Sequence, residues 1–167
     1  MAASSQEFTL TFEIAPPTTV RPGHPFTLPV IISVRPLSNL PQSSQTTTHL
    51  VASANLRNES GTSAAAGLSG NLTAMVRSRI EPSMSGYAKF TGLTISQPGT
   101  YRLRIMLSAS TVKGVMIKEV LDSGIIHVHA AAPLTQRPNP AMVAKLQQLI
   151  AENLDISAAD IAKWQSA

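Results

Sequence analysis

Arginine supplies most of the chemistry this chain could do. Arg102 and Arg104 stand two apart in TYRLRIML, and Arg77 and Arg79 two apart in VRSRI, so on extended backbone each pair projects to one face. If those strands lie side by side, the four guanidiniums form a flat phosphate-binding surface. The commoner use of such residues is a solvated outer face, and no aromatic side chains interleave with them to stack on bases. Arg21, with His24 nearby, is one more cation, and phosphate affinity normally sums over several. His127 and His129 also share a face, but a third ligand is missing and no metal is assigned. Asp122-Ser123 lies close to them in sequence without a Gly-x-Ser-x-Gly elbow or a His/Glu partner. Phosphate loops and dinucleotide fingerprints are absent. With no cysteine, disulfides, thiolate metal sites and cysteine nucleophiles are excluded. Neither a catalytic constellation nor a cofactor is read from these residues.

The elements that must carry these side chains are short strands. Phe8, Leu10, Phe12 and Ile14 alternate with polar residues up to Pro16-Pro17, where proline ends the ladder. Thr18 to Pro25 reads as a loop, Phe26 to Val34 as a buried strand, Arg35 to Thr47 as a polar connection, and Thr48 to Leu56 as a third strand. Thr62 to Gly70, rich in Gly, Ala and Ser, reads as a loop, and Asn71 to Ile80 as a fourth strand. In GYAKFTGLTI the alternation changes phase at Gly92, the mark of a β-bulge. After Gln97-Pro98-Gly99, a turn sequence, Tyr101, Leu103, Ile105 and Leu107 alternate with Arg102, Arg104 and Met106. A tyrosine placed there resembles the tyrosine corner of Greek-key sandwiches. Ala109 to Lys118 follows neither periodicity and reads as either an irregular excursion or a short edge strand, and Gly124 to Ala130 is a closing strand. Seven or so such strands with no helix between them predict an antiparallel β-sandwich over residues 1–132.

Beyond a proline-containing linker at 133–138, the chain turns helical from 139 to 167. Asn139 is a candidate N-cap with Pro140 at the first helical position, and Ser157 with Asp160 has capping-box spacing. Met142, Leu146, Leu149, Ile150, Ile161 and Trp164 form an apolar stripe. So short a helical hairpin cannot bury that stripe alone. It packs either on the sandwich or on another subunit, and the second option makes these residues a partner interface.

At 167 residues the chain has the length of one domain with a large core, and 43% of it is hydrophobic. Its formal charge is +4, with basic residues spread thinly, which permits nucleic-acid binding without requiring it. No apolar run reaches the roughly 20 residues of a membrane span. The start MAASSQEF has neither the basic end nor the apolar core of a secretory signal, so the protein is expected to be intracellular, nuclear or cytoplasmic or both.

HLVASANLRNESG, LSGNLTAMVRS, GYAKFTGLTISQPGTYRLRIMLS and SGIIHVHA, in that order from His49 to about His129, resemble the velvet domain of fungal regulatory proteins. Ala15-Pro16-Pro17 through Arg21, followed by Leu28-Pro29-Val30-Ile31, is similar to that family's opening strand, basic loop and second strand. The resemblance implies an Ig-like, Rel-homology-like sandwich, pairing with itself or with a related domain, and DNA contact from the first loop. Here that loop holds a single arginine, Arg21. The expected function is therefore a non-enzymatic velvet-like regulator of fungal development or secondary metabolism that acts through homo- or heterodimerisation, with at most weak DNA contact, for which Arg21, Arg77, Arg79, Arg102 and Arg104 are the candidate residues. Two other readings stay open. One is an Ig-like assembly or adaptor module without nucleic acid, and the other is a sandwich recruited to small-molecule binding or catalysis.

Overall fold

The computed structural model describes residues 8–36, 47–76, 86–111, 114–133, 135–152, 154 and 156–166. Strands dominate, in antiparallel sheets, and two short helices come last. A smaller sheet contains β1 (Phe8–Ile14), β3 (Val30–Pro36) and β7 (Gly86–Phe90) in the order β1-β3-β7. The larger sheet runs β2-β11-β9-β4-β6, from β2 (Thr19–Val20), β11 (Ile126–Val128), β9 (Gly99–Thr111), β4 (Thr47–Asn58) and β6 (Thr73–Met75), with β10 (Gly114–Asp122) also on β9. Among the described strands only β2 with β11 is parallel. β5 (Leu68–Ser69) and β8 (Thr94–Ile95) form a small third pair.

Alternation puts one face of each large sheet into a shared core. Phe8, Leu10, Val30, Ile32, Val34, Ala88 and Phe90 come from the smaller sheet; Leu50, Ala52, Ala54, Leu56, Leu103, Ile105, Leu107 and Ala109 come from the larger. Burying a Leu or Ile side chain contributes about 1.5–3 kcal/mol, so this core holds the two layers together. The Pro98-Gly99 turn does not pair its flanking strands; it carries the chain from β8 to β9 in another sheet. Tyr101 closes it, its hydroxyl donating to the Gln97 carbonyl at 3.1 Å.

Several boundaries differ from the sequence reading. The second strand begins at Val30 rather than Phe26, because Pro25 and Pro29 have no N–H for a ladder. Phe26 and Leu28 are buried all the same, and Phe26 N donates to the Leu93 carbonyl at 2.8 Å. The loop expected at Thr62 to Gly70 contains β5 and a bridge from Ala64 to Arg57. The phase change at Gly92 is a break between β7 and β8 rather than a bulge within one strand, with φ +68° at the glycine. Ala109 to Lys118 forms the far end of β9 and the start of β10. Its periodicity is hidden by a register shift between Ile117 and Glu119.

The tail folds as read, with α1 (Pro140–Leu149), a 3₁₀ turn (Ile150–Glu152) and α2 (Ala158–Gln165). The Asn139 side chain accepts from Met142 N at 2.7 Å, and Ser157 with Asp160 forms a reciprocal capping box. Leu146, Leu149, Leu154, Ile156 and Ile161 pack with Ile14, Leu28 and Ile31 in a second apolar cluster, on the smaller sheet's outer side. Lys145 Nζ meets Glu13 Oε1 at 2.7 Å. Among the described residues no helix is long and apolar enough to cross a membrane.

Two outcomes test this architecture. Gly70 sits at φ +116°, and a Cβ there would run into the Gly92 carbonyl oxygen, whereas a Cβ on Gly92 meets nothing within 4 Å. Gly70→Ala is expected to cost about 3 kcal/mol or more and Gly92→Ala about 1–2 kcal/mol, read as shifts in urea midpoint; equal losses contradict the close approach. The Glu13 carboxyl would be pushed up by burial, but hydrogen bonds from Lys145 and Ser33 and the charges of Lys145 and Arg35 bring it below the ordinary glutamate value. A lowered acid stabilises the fold above the ordinary glutamate range, and the contribution is lost as pH falls through the lowered folded value. Fluorescence of the single tryptophan, Trp164, which packs on this cluster, should report tail loosening in acid. Glu13→Gln should flatten that acid response, and an unchanged pH profile counts against the ion pair.

Candidate functional site

Leu56 and Leu103 point into the core, so their neighbours Arg57 and Arg102 stand on the outer face of the larger sheet, directly opposite one another on β4 and β9. Arg104 lies two residues along the same face, level with Asp122 on β10. Asp122 accepts from Arg104 Nε at 2.7 Å and from Nη2 at 2.9 Å, a bidentate pair that occupies both carboxylate oxygens. That hydrogen bonding holds the Asp122 carboxyl below its ordinary value against the opposing effect of burial, and the charges of Arg104, Arg57 and Arg102 add to it. Arg104 Nη2 also donates to the Gly61 carbonyl at 3.2 Å.

Arg102 is held by the chain's own backbone. Its Nε donates to the Glu59 carbonyl at 2.7 Å and its Nη1 to the Ser123 carbonyl at 2.9 Å. The turn it grips, 58–63, is organised by Asn58, whose Nδ2 donates to Ser63 Oγ at 2.8 Å and whose Oδ1 accepts from Thr62 N at 2.9 Å. Ser123 is buried and fills the gap between β10 and β11. Its N donates to the Leu103 carbonyl at 2.8 Å and its Oγ accepts from Leu103 N at 2.9 Å, so the hydroxyl stands in for a ladder carbonyl. Arg57 makes no side-chain hydrogen bond among the described residues, and its Nε is buried without a partner.

The remaining arginines separate. Arg77 and Arg79 lie outside the described residues. Arg21 lies in the stretch after β2, and its Nε donates to the Ala132 carbonyl, pinning the segment that leads to the helices. Thr27 and Gln136 reinforce that pin: Thr27 N donates to Gln136 Oε1 and Gln136 N to Thr27 Oγ1, both at 2.9 Å. Arg102 and Arg104 do share a face, as their spacing predicts, but Arg21 is engaged elsewhere. His127 and His129 are exposed on and beside β11, and the described residues contain no group of three side chains able to hold a metal.

Of the stripe read as a partner interface, Leu146, Leu149 and Ile161 are buried against the chain's own smaller sheet, Met142 and Trp164 are partly buried there, and Ile150 is 39% exposed. The outer face of the larger sheet carries exposed apolar residues in their place. Met75 is 48% exposed, Ile117 58% and Val120 41%. The register shift in β10 matters, because it sets both Ile117 and Val120 opposite outward residues of β9, Ser108 and Met106. At ordinary alternation, three residues apart, they would face opposite ways.

Sequence reasoning missed Arg57, Met75, Ile117 and Val120. Arg57 had a signal, since the Leu50-Ala52-Ala54-Leu56 alternation already turns it outward; its place opposite Arg102 depends on a long-range pairing. No family model and no curated protein matches the chain.

The Arg104–Asp122 pair is partly shielded, with side chains 23% and 30% exposed. In a double-mutant cycle, Arg104→Met and Asp122→Asn should show a coupling of about 0.5–1 kcal/mol, with faster amide exchange in the 58–63 turn for either variant. Additive losses and an unchanged turn contradict the role given to the pair.

Proposed function

We propose that this chain is a non-enzymatic Ig-like Greek-key β-sandwich module of the velvet-like kind, acting by pairing with a second copy or a related domain in the regulation of fungal development or secondary metabolism. The observation that carries the pairing is the inequality of the two outer faces. The apolar part of the smaller sheet's outer side is covered by the chain's own helices, while the larger sheet presents Met75, Ile117 and Val120 to solvent beside partly covered Val51 and Met106. Exposed apolar residues gathered on one face mark interaction surfaces, and burying them is the driving term for association. The Tyr101 hydroxyl bonded to the Gln97 carbonyl supports the Ig-like reading, as does the shared two-sheet core. We propose no DNA contact, because Arg21 is held apart by the Ala132 carbonyl and Arg104 is spent on Asp122, which leaves fewer free guanidiniums among the described residues than an affinity summed over several phosphates needs.

Sedimentation velocity across a concentration series tests the self-pairing form. The protein should form dimers, and Ile117→Asp with Val120→Asp should raise the dimer dissociation constant by about tenfold or more, since a carboxylate in an apolar contact loses solvation. Ile150→Asp, on the helical tail, should change it little. A chain that is monomeric at every concentration, or one whose pairing responds to Ile150 and not to Ile117 and Val120, overturns the assignment of this face.

A further inference from the structure

Directly opposed residues on neighbouring strands hold their Cβ atoms about 4.5–5.5 Å apart, and like charges at such positions destabilise the pair. Arg57 and Arg102 occupy such positions. The charge of Asp122 acts on both, but its hydrogen bonds go to Arg104. Among the described residues neither Arg57 nor Arg102 is hydrogen-bonded to a carboxylate, and Arg57 makes no side-chain hydrogen bond at all. Arg102 also lines an open cavity of about 680 Å³ together with Asn58, Glu59, Ser60, Thr100 and Ile125. Its backbone bonds fix the guanidinium on the cavity wall, so binding there costs little ordering of that side chain.

We propose that Arg57 and Arg102 together bind one phosphoryl group on the outer face of the larger sheet, beside the cavity that Arg102 lines. Two adjacent guanidiniums match a tetrahedral dianion, which offers oxygens to both forks, better than a planar monoanion that a single arginine neutralises. The cavity is large enough for a small phosphorylated molecule. Glu59, also on its wall, opposes an anion and lowers the affinity. The site lies at the opposite end of the outer face from Met75, Ile117 and Val120, so it stands apart from the pairing surface.

Thermal unfolding of the full chain tests the site, in inorganic phosphate, a nucleoside 5′-monophosphate or acetate, each at an ionic strength held constant with sodium chloride. Tm should climb with the logarithm of phosphate or nucleotide concentration and stay flat in acetate. Arg57→Gln, which removes no side-chain hydrogen bond among the described residues, should keep the circular dichroism spectrum and weaken phosphate binding about tenfold. Glu59→Gln should strengthen it. A rise with the nucleotide alone, lost in Arg57→Gln, identifies an esterified phosphate as the ligand. No rise beyond that in chloride, an equal rise in acetate, or a rise undiminished by Arg57→Gln overturns the proposal.

Discussion

Nearly everything in this chain depends on the pairing of one strand. β9 is 13 residues long and carries Leu103, Ile105, Leu107 and Ala109 into the core, all but inaccessible to solvent. One edge binds β4 over almost its full length, and the other is divided between β10 and β11. A strand paired on both edges leaves no backbone group to water along its length, which makes the register of its neighbours hard to slip. The change-over from β10 to β11 would break that saturation at Leu103. There Ser123 supplies its own N–H and its hydroxyl, so both polar groups of Leu103 stay satisfied in the buried interior.

The second constraint comes from β3. Val30 through Val34 are all buried, Ile31 on the side opposite Val30 and Ile32. A strand apolar on both faces cannot sit in a two-layer protein with one side open, so the outer side of the smaller sheet has to be covered. The helices beyond Pro138 cover it, and their stripe is spent on Ile14, Leu28 and Ile31. The larger sheet has no such demand. Its outer residues are Asn55, Arg57, Arg102 and Arg104 at one end, where the 58–63 turn folds over Arg102 and Arg104, and apolar side chains at the other, where Met75, Ile117 and Val120 stay exposed.

The strands around both layers were legible where alternation was clean, as in Phe8–Ile14 and Tyr101–Leu107, and both helix starts could be placed from Asn139-Pro140 and Ser157/Asp160. The Val30–Val34 run even announced that two faces would be buried. What could not be read was whatever depends on distant partners. A single displaced residue between Ile117 and Glu119 removed the period of β10, so an edge strand of nine residues could be read only as one alternative to an irregular excursion. Two-residue strands such as β2, β5 and β8 have no period to detect; they exist because a neighbour's backbone groups are close enough to bond. Arg102 and Arg104 share an outer face as their spacing gives, but their hydrogen bonds go to carbonyls of Glu59, Gly61 and Ser123, contacts that no local spacing encodes.

Those carbonyls explain why a protein with only 13% charged residues places arginines where it does. Turns and strand interruptions leave carbonyl oxygens without ladder partners, and a planar guanidinium with several donors can satisfy two of them at once from a rigid strand. Arg102 does this for Glu59 and Ser123, and Arg104 joins Gly61 to Asp122, so the 58–63 turn and the β10–β11 junction are both fastened to β9. Arg21 does the same for the passage into the tail. By that measure Arg57 is the exception. It stands on the same face, next to Arg102, with a buried Nε and, among the described residues, no carbonyl to bind, and a cation kept at such a position raises the energy of the fold unless another group supplies the acceptor.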